Sequence, residues 1–67
     1  MNTVNSYRLV AHDPGSGKVV FDLPNYAGLH PLSAGTVLIE AGVSWEIIGL
    51  RKDSTPQVQR IDVKKAG

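Results

Sequence analysis

Hydrophobic and polar residues alternate along most of this chain with a period of two, and hardly any stretch keeps the 3.6-residue period of a helix. Glycine and proline separate the alternating segments from one another. Alternation over about four to eight residues is typical of a β-strand that buries one face, and glycine or proline between such runs indicates turns. The pattern therefore predicts an all-β fold.

Five strands are predicted, at residues 7–12, 18–23, 36–40, 43–51 and 57–63. The first two form a hairpin around an Asp-Pro-Gly turn at 13–17, because these residue types are strong turn formers. A long loop covers residues 24–35, and its apolar side chains favour packing against the rest of the chain. The last three strands form a meander through a tight link at Ala41 and Gly42 and a second turn at 52–56.

Side chains of one parity in these strands are apolar, and this parity predicts the buried face of the sheet. We expect the following residues to face the core: Tyr7, Leu9, Val19, Phe21, Leu23, Ile61 and Val63. In the first part of strand 43–51 the apolar side chains that share one face are Val43, Trp45 and Ile47. Ile48 and Leu50 then make the opposite face apolar too, and the intervening glycine at 49 predicts a bulge or a close contact there.

The predicted architecture is a small five-stranded antiparallel sheet or an SH3-like barrel, built from a hairpin, a long loop and a three-stranded meander. Closure into a barrel would remove the edge strands that otherwise invite aggregation. A curved open sheet that dimerises edge to edge is the alternative.

Composition limits the kinds of protein this can be. The 67 residues are 42% hydrophobic, which is enough for one thin core and predicts a single domain, 1–67. There is no cysteine for a disulfide, and two histidines cannot complete a four-ligand zinc site. The net charge of +1 gives no broad electrostatic argument for nucleic acid or an anionic membrane. No apolar run is long enough to span a membrane and the polar start does not match a signal peptide, so we expect a cytoplasmic chain.

The residues that could carry chemistry do not form a recognisable site. The sequence Gly-Ser-Gly-Lys at 15–18 matches only the end of a phosphate-binding loop, since the first glycine and the following helix are both missing. A metal or catalytic site needs about three converging side chains, and the sequence does not indicate two further ligands or catalytic groups for either His12 or His30. We therefore expect no catalytic residue, no cofactor and no metal.

If the chain binds a partner through its surface, we expect the partner-binding residues to be Trp45, Tyr26, Ile48, Leu50 and Arg51. Tryptophan and tyrosine contribute strongly to interface energies, and Ile48 and Leu50 add apolar surface on the second face of their strand. The simplest interpretation of Trp45, the only tryptophan, is a central core residue, and an exposed anchor for a partner is the alternative.

Residues 28–49 look like the C-terminal core of ADP-ribosyltransferases, in which a loop, a Glu/Gln-x-Glu motif and two strands around a glycine turn follow one another. The positions that fit are Val37, Leu38, Ile39, Gly42, Trp45 and Ile47. Ala34 and Thr36 stand where the family has its two acidic residues. The resemblance thus implies a degenerate, NAD-related fragment without the catalytic carboxylates. The same residues also resemble small SH3-like barrels.

Three functional hypotheses follow. The leading one is a non-catalytic binding protein acting through protein–protein contacts, an accessory, inhibitory or assembly protein of the kind that phages and mobile elements encode. A domain this small is marginally stable alone, so we expect it to be a homo-oligomer or docked on a larger partner. The alternatives are a small barrel that binds nucleic acid or a nucleotide, using Lys18, Arg51, Lys52 and Arg60, and the degenerate transferase fragment.

Overall fold

The computed structural model describes residues 6–29 and 31–66. These residues form five β-strands: β1 Ser6–His12, β2 Val19–Ala27, β3 Val37–Glu40, β4 Val43–Arg51 and β5 Val58–Lys65. The predicted all-β class and the five strands are confirmed, and none of the described residues forms a helix.

The strands form one sheet in the order β2-β1-β5-β4-β3. Three neighbouring pairs are antiparallel, whereas β1 and β5 run parallel at the centre of the sheet. A parallel pair needs a long connection between its strands, and here that connection is the whole segment from β2 to β4. The sheet is therefore mixed, and the parallel central pair is the one departure from the antiparallel arrangement that the hairpins suggested.

The sheet is an open, curled half-barrel with β2 and β3 at its two edges. The rings of Phe21 on β2 and Trp45 on β4 lie 6.0 Å apart between centroids. In a flat sheet these strands would be separated by three spacings of about 4.8 Å, or about 14 Å, so the sheet must curl to bring the rings together. Of the two architectures considered, the curved open sheet matches the structure, because β2 and β3 do not pair within the described residues.

The concave face of this curl carries the core. Its buried residues are Tyr7, Leu9, Ala11, Leu32, Ile47, Ile61 and Val63, and the partly buried Phe21, Leu23, Tyr26, Leu38 and Trp45 pack against them. Most of these side chains come from alternate positions on β1, β4 and β5, so the predicted inward parity is confirmed at Tyr7, Leu9, Ile61 and Val63. The main core thus lies on this concave face, and Val10, which is 1% exposed, is buried on the convex face of β1.

The loop at 28–36 closes one end of the concave face through Leu32, which is 5% exposed. The side-chain amide of Gln59 holds this residue at both backbone groups: the Leu32 N–H donates to Oε1 at 2.9 Å, and Nε2 donates to the Leu32 carbonyl at 3.0 Å. The Tyr7 hydroxyl donates to the carbonyl of Leu29 in the same loop, and burial raises the pKa of Tyr7 to about 12. The expectation that this loop packs down by its own apolar residues is confirmed at Leu32.

Two predictions about β2 are wrong. Val19 is exposed and lies opposite His12, whereas Phe21 lies opposite Ala11 on the core face. One extra residue, Val20, lies between these pairs, and such a bulge places Val19 and Phe21 on opposite faces although they have the same parity. The strand also continues through Pro24 to Ala27 instead of ending at residue 23. A second register shift falls at this proline, which is a position where an edge strand tolerates the missing N–H.

The predicted irregularity at Gly49 is confirmed, but its consequence for Leu50 differs from the expectation. The register of β4 against β5 shifts between Ile47 and Gly49. Leu50 then lies opposite Ile61, which places it on the core face and not on the opposite one. The bulge leaves Ile48 as the extra residue, so Ile48 and Leu50, although they have the same parity, do not form a second apolar face.

Candidate functional site

The exposed apolar side chains of the described residues concentrate at one side of the sheet. Seven large hydrophobic residues are exposed among the described residues. Four of them lie on β3 or near the C-terminal end of β4: Val37, Ile39, Ile48 and Leu50. We call this side, residues 37–40 of β3 with residues 48–51 of β4, the β3–β4 edge. A cluster of apolar side chains at the surface marks an interaction site more often than scattered single residues do.

Among the described residues, β3 adds unpaired backbone polar groups to these side chains. The Ile47 N–H donates to the Thr36 carbonyl at 2.9 Å, so Thr36 directs its carbonyl toward β4. Backbone groups of an antiparallel strand alternate in direction, and Leu38 and Glu40 therefore also face β4. Val37 and Ile39, which lie between them, direct their N–H and C=O groups out of the sheet. The two residues with exposed apolar side chains are thus the two with outward-facing backbone.

β4 contributes a second unpaired stretch to the same side. β3 pairs with β4 only between Val43 and Glu46, and the contacts of Gly35 and Thr36 with Ile47 extend this pairing by one residue. On the β3 side of β4, no strand of the described residues continues alongside residues 48–51. This end of β4 is paired only with β5.

The opposite edge of the sheet, β2, is protected against pairing with another strand. It contains Pro24, which has no N–H to donate, and two register shifts that break its regular ladder. Arg8 and Asp22 also form a charged pair on its convex side, with the Arg8 Nε 3.0 Å from Oδ1 of Asp22. Proline, bulges and charges are the features by which edge strands avoid association. β3 is short but has no proline and a regular register, so it is the less protected edge.

The structure does not bring the five predicted partner-binding residues together. Trp45 and Tyr26 are half-buried against the core, Trp45 beside Phe21 and Tyr26 edge-on to the ring of Tyr7 at 5.5 Å between centroids. The structure brings Ile48 and Leu50 to the β3–β4 edge, where both are exposed.

Arg51 ends the same strand, and its guanidinium is held by the carboxylate of Asp62 at 2.7 Å. Sequence reasoning missed Val37 and Ile39. The available signal was a four-residue strand with apolar side chains at both parities, which is unusual for a strand that has only one face to bury.

The convex face carries most of the charged side chains of the strands, and eight of the described charged residues form four ion pairs. Arg8 binds Asp22, Arg60 binds Asp53 at 2.6 Å, Arg51 binds Asp62, and Lys64 lies 3.9 Å from Glu46. The hydrogen bond from Arg8 holds the pKa of Asp22 below its usual value, and the Thr55 N–H together with Arg60 does the same for Asp53. Two of the basic residues that a nucleic-acid site would need, Arg51 and Arg60, are therefore already neutralised by carboxylates.

His12 is buried at the convex face and uses both ring nitrogens. Nδ1 lies 3.0 Å from the Gly17 carbonyl, which only accepts, and Nε2 lies 3.3 Å from Nη1 of Arg60, which only donates. The two contacts tie the ring to the 13–17 turn and to β5.

Within the ranges 6–29 and 31–66, no three histidine, aspartate or glutamate side chains come together as metal ligands. The other histidine considered above, His30, lies outside the described residues. The described residues also contain no helix of the length and apolar character needed to cross a membrane.

The positions that correspond to the transferase motif lie at the start of β3. Ala34 belongs to a turn and Thr36 precedes the strand, where its carbonyl accepts the Ile47 N–H. Comparison of the chain with protein-family models, curated proteins and solved structures finds no match. The assignment of a function therefore depends on the residues and the geometry of the β3–β4 edge.

Proposed function

We propose that this chain is a non-catalytic binding protein that acts through protein–protein contacts made by its β3–β4 edge. The observation that carries the proposal is the coincidence, at Val37 and Ile39, of exposed apolar side chains with outward-facing backbone groups. A strand added to such an edge satisfies the backbone by hydrogen bonds and covers the alternate side chains. Binding here requires no cavity and no reactive group.

Burial gives the size of the driving force. Ile39 is 74% exposed and Val37 54%. Full burial of an isoleucine or valine side chain is worth about 1.5–3 kcal/mol, so covering the exposed part of these two side chains contributes about 2–4 kcal/mol. Each new backbone hydrogen bond adds about 0.5–1.5 kcal/mol. These gains are comparable with the total stability of a small domain, which makes association at this edge significant for the chain.

Charge favours a protein partner over nucleic acid. The seven basic residues are balanced by six acidic ones, and all three arginines are paired with aspartates on the convex face. Affinity for nucleic acid comes largely from unpaired lysine and arginine at phosphates. The β3–β4 edge instead offers apolar side chains and backbone, which are the groups that an added strand recognises.

The test uses a matched pair of variants. Val37 and Val19 are both valines, both on edge strands and both 54% exposed, but Val19 lies at the opposite side of the sheet. We expect Val37→Lys to abolish association, measured as the mass of the purified chain by light scattering and as recovery of a stoichiometric protein partner from cell extract. Val19→Lys should retain whatever the wild type binds. Equal behaviour of the two variants, or a wild type that neither associates nor retains a partner, would refute the proposal.

A further inference from the structure

We propose that the partner at β3 is a second copy of this chain, paired antiparallel with β3 about a two-fold axis beside Leu38. This inference rests on the proposed function, because it names the protein that occupies the same edge. The pairing joins two five-stranded sheets into one continuous ten-stranded sheet.

The outward-facing backbone groups select this register. Val37 and Ile39 direct N–H and C=O out of the sheet, whereas Leu38 faces β4. When Leu38 lies opposite Leu38 of the second copy, Val37 of each chain lies opposite Ile39 of the other. Both pairs are then hydrogen-bonded pairs, and each exchanges two backbone hydrogen bonds. The register therefore uses every outward-facing N–H and C=O of β3.

The neighbouring two-fold registers use fewer of these groups. Centring the pair on Ile39 leaves one hydrogen-bonded pair and sets Val37 against Ala41, where φ is +52° and the chain already turns. Centring it on Val37 sets Ile39 against Gly35, whose N–H already donates to the Ile47 carbonyl at 2.7 Å. Only the register at Leu38 leaves the existing turn and hydrogen bonds intact.

Side chains and charge agree with the same register. A two-fold axis perpendicular to the sheet keeps each face continuous, so Val37 lies beside Ile39 of the second copy on the convex face. Within the overlapping residues 36–40 the only charged side chain is Glu40, and it lies opposite Thr36. No like charges meet across the axis. An isologous interface requires this self-complementarity of one surface with itself.

The size of the contact sets the strength to expect. The strands overlap over only residues 36–40, so the interface falls below the roughly 1,200 Å² of standard stable complexes. The dimer should therefore form reversibly and depend on concentration. Dilution should return the chain to monomer.

Cysteine cross-linking tests the register, because the chain has no cysteine of its own. In the proposed dimer residues 37 and 39 of different copies are opposite each other, with Cα atoms about 5.5 Å apart, within disulfide range. Residue 39 lies two positions away from residue 39 of the other copy, which separates those Cα atoms by about 8 Å. Mild oxidation of mixed Val37→Cys and Ile39→Cys chains should therefore give the mixed disulfide dimer, and each variant alone should give several-fold less.

A second variant tests the backbone hydrogen bonds. Ile39→Pro removes an N–H that points out of the sheet and none that pairs with β4, and proline is tolerated at such edge positions. Sedimentation equilibrium should show self-association weakened by at least about tenfold, while Ile39→Val, which keeps the N–H, should associate nearly as the wild type does.

The outcomes separate this inference from the proposed function. Equal cross-linking in the single variants and in the mixture overturns the register, and so does the absence of a mixed dimer. A wild-type chain that stays monomeric up to about 1 mM also overturns the inference. If that monomer still retains a stoichiometric partner that Val37→Lys loses, the proposed function stands without it, and if no partner is found, both fall.

Discussion

Replacing Gln59 with methionine tests how the long loop is held on the sheet. The Gln59 amide forms two hydrogen bonds with the backbone of Leu32, which is buried over the concave face. Methionine has a similar length and flexibility but cannot form either bond. The Leu32 N–H and C=O would then be left without partners in a buried position.

The expected magnitude follows from these two groups. An unsatisfied buried donor or acceptor costs about 1–3 kcal/mol, and we expect Gln59→Met to lower the free energy of unfolding by about 2–4 kcal/mol. A chain of 67 residues has a total stability of about 3–10 kcal/mol at the usual value per residue. The substitution should therefore remove a large share of the stability and lower the melting temperature by about 10 °C or more.

Urea unfolding followed by Trp45 fluorescence measures this difference. The control is Gln57→Met, the same substitution two residues earlier at an exposed side chain, which should change the free energy of unfolding by less than about 0.5 kcal/mol. Equal stability of the two variants would refute the reasoning that the Gln59 amide holds the loop.

Three further predictions concern the core, the charged face and the β3–β4 turn. Trp45→Ala should lower the free energy of unfolding by about 2–4 kcal/mol, since the ring is half-buried against the core, and an unchanged urea midpoint, followed by circular dichroism because the variant has no tryptophan, would instead support a role at an interface. The pKa values of Asp22 and Asp53 are lowered by their partners in the folded state, so their stabilisation is complete above about pH 5 and is lost as pH falls below about 4. Urea midpoints from pH 7 to pH 2 should show this loss, and it should be smaller in Asp53→Asn. Ala41→Asn should raise stability by about 0.5–1 kcal/mol, because Ala41 has a φ of +52° that asparagine adopts more readily, and a lower melting temperature would contradict this.

The residues of the candidate site were predictable only in part. Ile48 and Leu50 stood out in the sequence because they follow three inward-facing positions, and both are exposed at the β3–β4 edge. Val37 and Ile39 did not stand out, since a strand that is apolar at both parities looks buried on both faces. Whether such a strand lies at the centre or at the edge depends on which distant segments pair beside it, and that information is not local.

Alternation of side chains by itself determined the number of strands, the hairpin turns and the inward parity of β1 and β5, because a strand places successive residues on opposite faces wherever it lies. Only the tertiary structure decided the parallel pairing of β1 with β5 and the open edges at β2 and β3. It also decided which face Val19 and Leu50 occupy. Val19 precedes a bulge at Val20 and Leu50 follows a bulge at Ile48, and each bulge shifts the register by one residue. Strand order and bulges arise from contacts between residues far apart in the chain, which a two-residue period does not encode.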